Sequence, residues 1–373
     1  METWDNSYRE FYIVTRERLT EKMSSWNEGF CENRHPLLLP FRRDFADLNE
    51  GGKMLRGVLV CLGAFLAGTE HPSDADPLAL AFELFQTGVL IHDDVIDHAE
   101  SRRGKKTIHR RYGDRLRARV IPMVSQAETP ESMGMSAALC MGDAGLYEAN
   151  AMIAGSYAGD PRCGRLLLYF DTVVLNTIEG ELLDVVLPVE LMDPSLNEEE
   201  RCELLNQSVR RIYEMKTSWY SVVGPMHLGM MLGNLSDEEM KTVDQFADDL
   251  GIAYQIEDDI LGIYGDEETM GKDIGSDVSE YKQTVLYAFV RTAEDKKYWN
   301  ELRKFYGKEN LSREELTTVR DIFMASGAYD NARKLSDSCY KDAENRLDNM
   351  TFLSPEKKRL LQGLIASLRG RNH

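Results

Sequence analysis

Two pairs of adjacent aspartates are set in stretches that are otherwise apolar and helical in period, and few folds accommodate that. Asp93-Asp94, with Asp97 just beyond, ends the segment Phe82–Val95, and Asp258-Asp259, with Glu257 before them, lies inside Phe246–Ile263. An unpaired buried carboxylate is costly or gives up its charge, so such pairs need partners. Asp93 and Asp97 stand at i and i+4, on one face of a helix. Oxygen donors without nearby Cys and with few His suit a hard cation, Mg²⁺ above all. Two facing helices of this kind would hold shared metal ions around a polyanion.

The rest of the chain is helical in pattern. Apolar residues recur at helical spacing over Arg9–Trp26, Met54–Leu66, Leu78–Ile96, Ser136–Ala154, Arg165–Val186, Glu198–Met231, Asp237–Tyr264 and Lys282–Thr292. The pattern continues over Tyr298–Tyr306, Arg313–Ser326, Ala328–Asn349 and Pro355–Leu368, and alternating strand patterns are scarce. Ser236 and Ser312 each have Glu three residues later, a capping box, and Asn197 enters Glu198–Glu200 similarly. Glu70–Pro77, Ala127–Gly134 and the acidic, Gly-bearing Gly265–Tyr281 read as loops, with no interdomain linker, repeat or low-complexity tract. One all-α domain over residues 1–373 is the expectation.

Composition narrows the function. A net charge of −19 argues against a nucleic-acid binder held by phosphate contacts. The Lys/Arg run Arg102–Arg119 has only Tyr112 as an aromatic platform, which weakens the same reading locally. The six cysteines form no CxxC pair, which suits a reducing compartment and provides no zinc site. No signal peptide is expected at Met1–Asp5, and the apolar stretch Val58–Ala67 is too short to span a bilayer. A soluble, cytoplasmic protein without a membrane span is expected.

Cations follow both acid clusters. Arg102-Arg103-Gly104-Lys105-Lys106 comes after the first, and Gly271-Lys272-Asp273-Ile274-Gly275-Ser276-Asp277 with Lys282 after the second. Arginine forks match diphosphate oxygens, and carboxylate-held Mg²⁺ beside cations is a recurrent phosphoryl-binding arrangement. Upstream, Gly51-Gly52-Lys53-Met54-Leu55-Arg56 leads into a helix whose first N–H groups would seat an anion, without a Walker A pattern. Taken singly, each is also what an ordinary charged helix end looks like.

In order along the chain, Gly51-Gly52-Lys53-x-x-Arg56, Gln86, His92-Asp93-Asp94-x-x-Asp97, Arg102-Arg103-Gly104, Lys216-Thr217, Gln255-x-x-Asp258-Asp259 and Gly271-Lys272…Lys282 resemble the trans-type polyprenyl (isoprenyl) diphosphate synthases. The resemblance runs from about Phe41 to Tyr287 and implies the all-α isoprenoid-synthase bundle around an apolar cavity. It implies three Mg²⁺ ions on Asp93, Asp97 and Asp258, clamping the diphosphate of an allylic substrate. Arg102, Lys216 and Lys272 would contact that diphosphate. Lys53, Arg56, Gln86 and Arg103, with Lys282 also among the substrate-binding positions, would hold isopentenyl diphosphate. Thr217 and Gln255 would line the developing cation, and Asp94 and Asp259 complete the catalytic set. A homodimer is implied as well.

Two departures accompany the resemblance. The second motif ends in Gly262 where another Asp is usual, leaving Asp258 as the direct ligand with Asp277 to assist. The segment Tyr112–Met135 is longer than in compact members. Gly88 and Val89, just before Asp93, are small, and Phe85 and Phe82 lie farther down the same helix. One helical turn, about 5.4 Å, is roughly one isoprene unit, so Phe85 is the candidate floor for a twenty-carbon, geranylgeranyl product. The alternatives are a farnesyl or longer product, a catalytically silent subunit, or a terpene cyclase. A cyclase should carry a different second metal motif, and a silent subunit should have lost aspartates that are present here.

Overall fold

The structure, a computed structural model, describes residues 7–32, 35–50, 52–118, 129–265, 274–308 and 311–370. The elements among these residues are helices apart from one small hairpin, in line with the all-α expectation. The chain builds α1 (Ser7–Cys31), α2 (Leu39–Asn49), α3 (Leu55–Leu66), α4 (Asp76–Ile96), α5 (Ile108–Arg117), α6 (Pro130–Ser156), α7 (Cys163–Glu190) and α8 (Glu198–Ile212). A π-helical segment, Tyr213–Val223, follows, then α9 (Gly224–Met230) and α10 (Asp237–Tyr264). Next come α11 (Ser276–Ser279), α12 (Val285–Thr292), α13 (Lys297–Leu302), α14 (Arg313–Ala325), α15 (Ala328–Asn349) and α16 (Pro355–Arg369). The hairpin pairs β1 (Ser101–Arg102) with β2 (Lys105–Lys106), antiparallel.

Helix starts follow local chemistry. Asn197, Ser236 and Ser312 close the expected capping boxes with Glu200, Glu239 and Glu315. Thr129 does the same with Ser132, so α6 begins inside the stretch read as a loop. No described helix is long and apolar enough to cross a membrane.

The chain divides into two compact units. In one, Arg9–Phe170 with Leu228–Asn234, α4 is packed by α3 and α6 and buries Leu78, Phe82, Leu84, Phe85 and Ile91. In the other, which contains Asp171–His227 and Leu235–His373, α10 lies against the π segment and α15. Its core joins Ile256, Ile260 and Ile263 to Leu286, Val290, Val319 and Phe323.

The spacing missed α2 and α5. The buried face of α2 includes Asp44 and Asn49, which break the apolar period. Asp44 is held by Arg111 and Arg115 of α5, and Asn49 bonds Asn27 and Thr87. Two polar-looking segments thus satisfy each other, which periodicity does not register. The single helix expected over Glu198–Met231 is interrupted by the π segment, where the Gly224 N–H reaches back five residues to the Trp219 carbonyl.

Candidate active site

In the unit around α4, the three motif acids have two different surroundings. Asp93 and Asp97 are half-buried on the accessible side of the helix, whereas Asp94 is buried. The Arg102 guanidinium spans the pair, with Nε donating to Asp94 Oδ1 at 2.5 Å and a terminal nitrogen to Asp93 Oδ2 at 3.0 Å. Burial pushes the Asp94 carboxyl up to about 6; Arg102 opposes this, and the neighbouring Asp93 and Asp97 charges add to it.

The hairpin explains the Arg-Arg-Gly sequence. Its two central residues, Arg103 and Gly104, have φ of 53° and 74°, as a type I′ turn requires. Glycine takes that conformation freely and arginine does so at a cost. Consecutive arginines are thereby aimed apart: Arg102 goes to the aspartates, while Arg103 donates to the Leu48 carbonyl at 2.9 Å and lies beside Gly52.

Lys53 is exposed and its carbonyl accepts from the Tyr12 hydroxyl at 2.6 Å, and Arg56 sits half-buried in the first turn of α3. Gln86 lies on α4 two turns before Asp93. The start of α3 differs from the expected anion seat. Glu83 accepts from the Gly57 N–H at 2.8 Å, so a buried carboxylate already occupies part of that helix end. Burial raises the Glu83 carboxyl, while the Gly57 bond and the Arg56 and Arg103 charges oppose the rise.

The other unit repeats the pairing of a half-buried with a buried aspartate, with neutral donors in place of the arginine. Asp258 is half-buried and Asp259 buried. Asp259 Oδ1 accepts from Gln255 Nε2 at 2.7 Å, and Oδ2 accepts from the Tyr213 hydroxyl. Thr217 Oγ1 in turn donates to Gln255 Oε1 at 2.6 Å. Burial, then the nearby Asp277 carboxylate, pushes Asp259 up to about 8, against its bonds from Tyr213 and Gln255. Glu257 points elsewhere, to Ser336 at 2.6 Å and Arg333 at 2.5 Å on α15. Lys282 pairs with Glu280 at 2.8 Å. Lys272, with Gly271 and Asp273, lies outside the described residues, as does Gly51.

Lys216 brings in two residues that the sequence reading passed over. Its ammonium contacts Glu181 at 2.8 Å and Asp184 at 2.6 Å on α7. Their i, i+3 spacing in an apolar helix was the available signal. Gly262, the departure in the second motif, lies beneath the following loop: a Cβ there would be 2.9 Å from Asp277 Oδ2. The Gly275 N–H to Gly262 carbonyl bond, 2.9 Å, fastens that loop to α10.

Among the described residues, no three Asp, Glu, His or Cys side chains close a metal shell by themselves. The donor set still fits Mg²⁺, which keeps several waters and is bound through one or two carboxylates plus substrate phosphates. Asp93, Asp97 and Asp258 are half-buried, as is Asp277, whereas Asp94 and Asp259 are buried.

The chain-length positions separate. Phe85 is fully buried in a ring cluster, 6.3 Å from Phe82 and 5.6 Å from Phe170. Val89 is half-buried. Gly88, expected to leave space for a growing chain, instead faces α6, where a Cβ would be 2.7 Å from the Gly142 carbonyl. It is small because two helix backbones meet there.

An all-α bundle with paired aspartates beside Lys and Arg defines a class of enzymes acting on diphosphates. The chain matches the polyprenyl synthetase family over residues 45–323 and belongs to it, and it is a prenyltransferase of isoprenoid biosynthesis. It is 28% identical over 282 residues to the short chain isoprenyl diphosphate synthase of Methanocaldococcus jannaschii, covering 75% of this chain and 74% of that protein. It is 27% identical to the geranylgeranyl diphosphate synthase of Sulfolobus acidocaldarius, covering 82% of each. The geranylgeranyl pyrophosphate synthase of Corynebacterium glutamicum, solved with isoprenyl diphosphate and magnesium, superposes with a TM-score of 0.81 at 26% identity, covering 100% of both chains.

Proposed function

We propose that this chain condenses isopentenyl diphosphate with an allylic diphosphate in a Mg²⁺-dependent reaction and releases geranylgeranyl diphosphate. The observation that carries this is the repeated division of labour in the aspartate pairs. In each unit one carboxylate of the pair is half-buried and its neighbour is buried and held, Asp94 by Arg102 and Asp259 by Gln255. Mg²⁺ on Asp93, Asp97 and Asp258 would neutralise the departing diphosphate. Arg102, Lys216 and Lys272 add donors to that leaving group as its charge develops. Lys53, Arg56, Gln86 and Arg103, with Lys282, hold the second diphosphate. Thr217 and Gln255 turn oxygen atoms towards the allylic cation. Phe85, Phe82 and Phe170 limit the product.

The homodimer is supported by the surface of α7. Leu168, Leu175, Leu182 and Val189 are exposed at sevenfold spacing, with Ile178, Val185 and Met192 between and beyond them. Such a stripe is the seam along which helices pair.

The test is incubation of the chain with labelled isopentenyl diphosphate and dimethylallyl, geranyl or farnesyl diphosphate, with Mg²⁺ or with chelator. A product series ending at twenty carbons only when Mg²⁺ is present is the expected result. No condensation from any primer would refute the reading.

A further inference from the structure

Four side chains bridge the π segment and α10 in two rungs. Tyr213 and Thr217 are four residues apart on one element, and Gln255 and Asp259 are four apart on the other. Tyr213 meets Asp259, and Thr217 meets Gln255. Gly251 lets the backbones close, since a Cβ there would lie 2.5 Å from Ser218 Cα.

The hydrogen bonds of this ladder form one continuous chain. The Val285 N–H donates to the Tyr213 oxygen at 2.8 Å, so the single Tyr213 proton is directed to Asp259. The other Asp259 oxygen accepts from the amide nitrogen of Gln255 at 2.7 Å. Gln255 Oε1 therefore faces Thr217 and takes its hydroxyl proton at 2.6 Å. With its proton given to Gln255, the Thr217 oxygen keeps its lone pairs, the polarity that stabilises a carbocation.

We infer that Tyr213 and Asp259 are positioning residues that fix the orientation of the Gln255 amide, and through it the oxygens of Gln255 and Thr217. The inference rests on the condensation reading above. Tyr213, which no motif includes, thereby becomes part of the reaction machinery without touching substrate. Asp259 serves this ladder and leaves metal binding to Asp258.

Tyr213→Phe keeps the ring and removes only the hydroxyl. Its kcat is expected to fall about tenfold, the scale of a modest loss of orientation. KM for isopentenyl diphosphate should hold within about twofold, because Lys53, Arg56 and Arg103 are not part of the ladder. Thr217→Val removes the Thr217 rung, and Tyr213→Phe added to it should cost less than it does in the wild type. Wild-type kcat in Tyr213→Phe, or a double-variant loss equal to the product of the single losses, would overturn the inference. Gln255→Glu leaves Tyr213 packing intact and sets an acceptor against Asp259. It should lower kcat as far, so the test survives if Tyr213→Phe does not fold. Hydrogen exchange at Val285 needs no turnover: faster exchange in Tyr213→Phe is expected, and unchanged exchange defeats the ladder itself. A wild-type chain that exchanges as expected yet transfers no prenyl group would defeat the condensation reading instead.

Discussion

Arg102 donates its Nε to the Asp94 carboxylate at 2.5 Å, a pair in which the acid is 2% and the arginine 13% exposed. Because the same guanidinium also reaches Asp93, one residue links the internal acid of the motif to the accessible one. Asp93→Asn should therefore cost activity, by about a hundredfold or more in kcat if it removes a metal ligand, with little change in melting temperature. Asp94→Asn should destabilise the fold by about 2–4 kcal/mol, because it leaves a mostly buried guanidinium underpaired. Steady-state kinetics and denaturant titration on both variants would reveal the contrast. Equal stability losses would refute the division of roles.

Glu83 predicts a pH signature. Its native carboxyl is raised above the ordinary 4.5, so the folded state holds this proton more tightly than the unfolded chain. Its contribution to stability is complete below about pH 4.5 and is lost as pH rises through the native value. Glu83→Gln can still accept from the Gly57 N–H but carries no charge. Thermal melts from pH 5 to pH 8 should show the variant gaining on the wild type as pH rises. A constant difference would mean that Glu83 does not titrate in this range.

At Gly262 the question is whether restoring the usual acid helps. A side chain there starts 2.9 Å from Asp277 Oδ2, so Gly262→Asp sets two carboxylates against each other. The expected outcome is a severalfold loss of activity at fixed Mg²⁺. Gly262→Asp combined with Asp277→Gly should recover part of that loss. Higher activity in the single variant would show that the loop yields easily.

Product length separates Phe85 from Gly88. Phe85→Ala opens the cluster with Phe82 and Phe170 and should lengthen the prenyl product, read by chromatography after dephosphorylation. Gly88→Ala presses α4 against the Gly142 carbonyl and should cost about 1–3 kcal/mol without shifting product length. A shorter product from Gly88→Ala would place that position in the cavity wall.

The seam on α7 predicts assembly. Leu175→Asp with Leu182→Asp places charges on two residues that are 60% and 58% exposed in the single chain. Sedimentation should show a dimer for the wild type and a monomer for the variant. The same sedimentation for both proteins would exclude this face as the interface.

Much of the site could be read from residue order. Asp93, Asp97 and Asp258 stand out because carboxylates are costly in apolar helices, and the cations after each motif supply the complement. Glu181 and Asp184 escaped notice because their partner, Lys216, lies on a different helix. Gly88 was misplaced because its size has two explanations, an open cavity or a close helix crossing, and only the position of Gly142 distinguishes them.

Sequence alone determined the all-α class, most helix boundaries and the motif acids, since period, caps and the cost of buried charge act within a few turns. Tertiary structure decided which aspartate of each pair turns inward, that Glu83 caps α3, and that Tyr213 governs Gln255. Those outcomes depend on donors separated by 8, 26 and 46 residues from their acceptors, and packing alone brings such groups within hydrogen-bond distance.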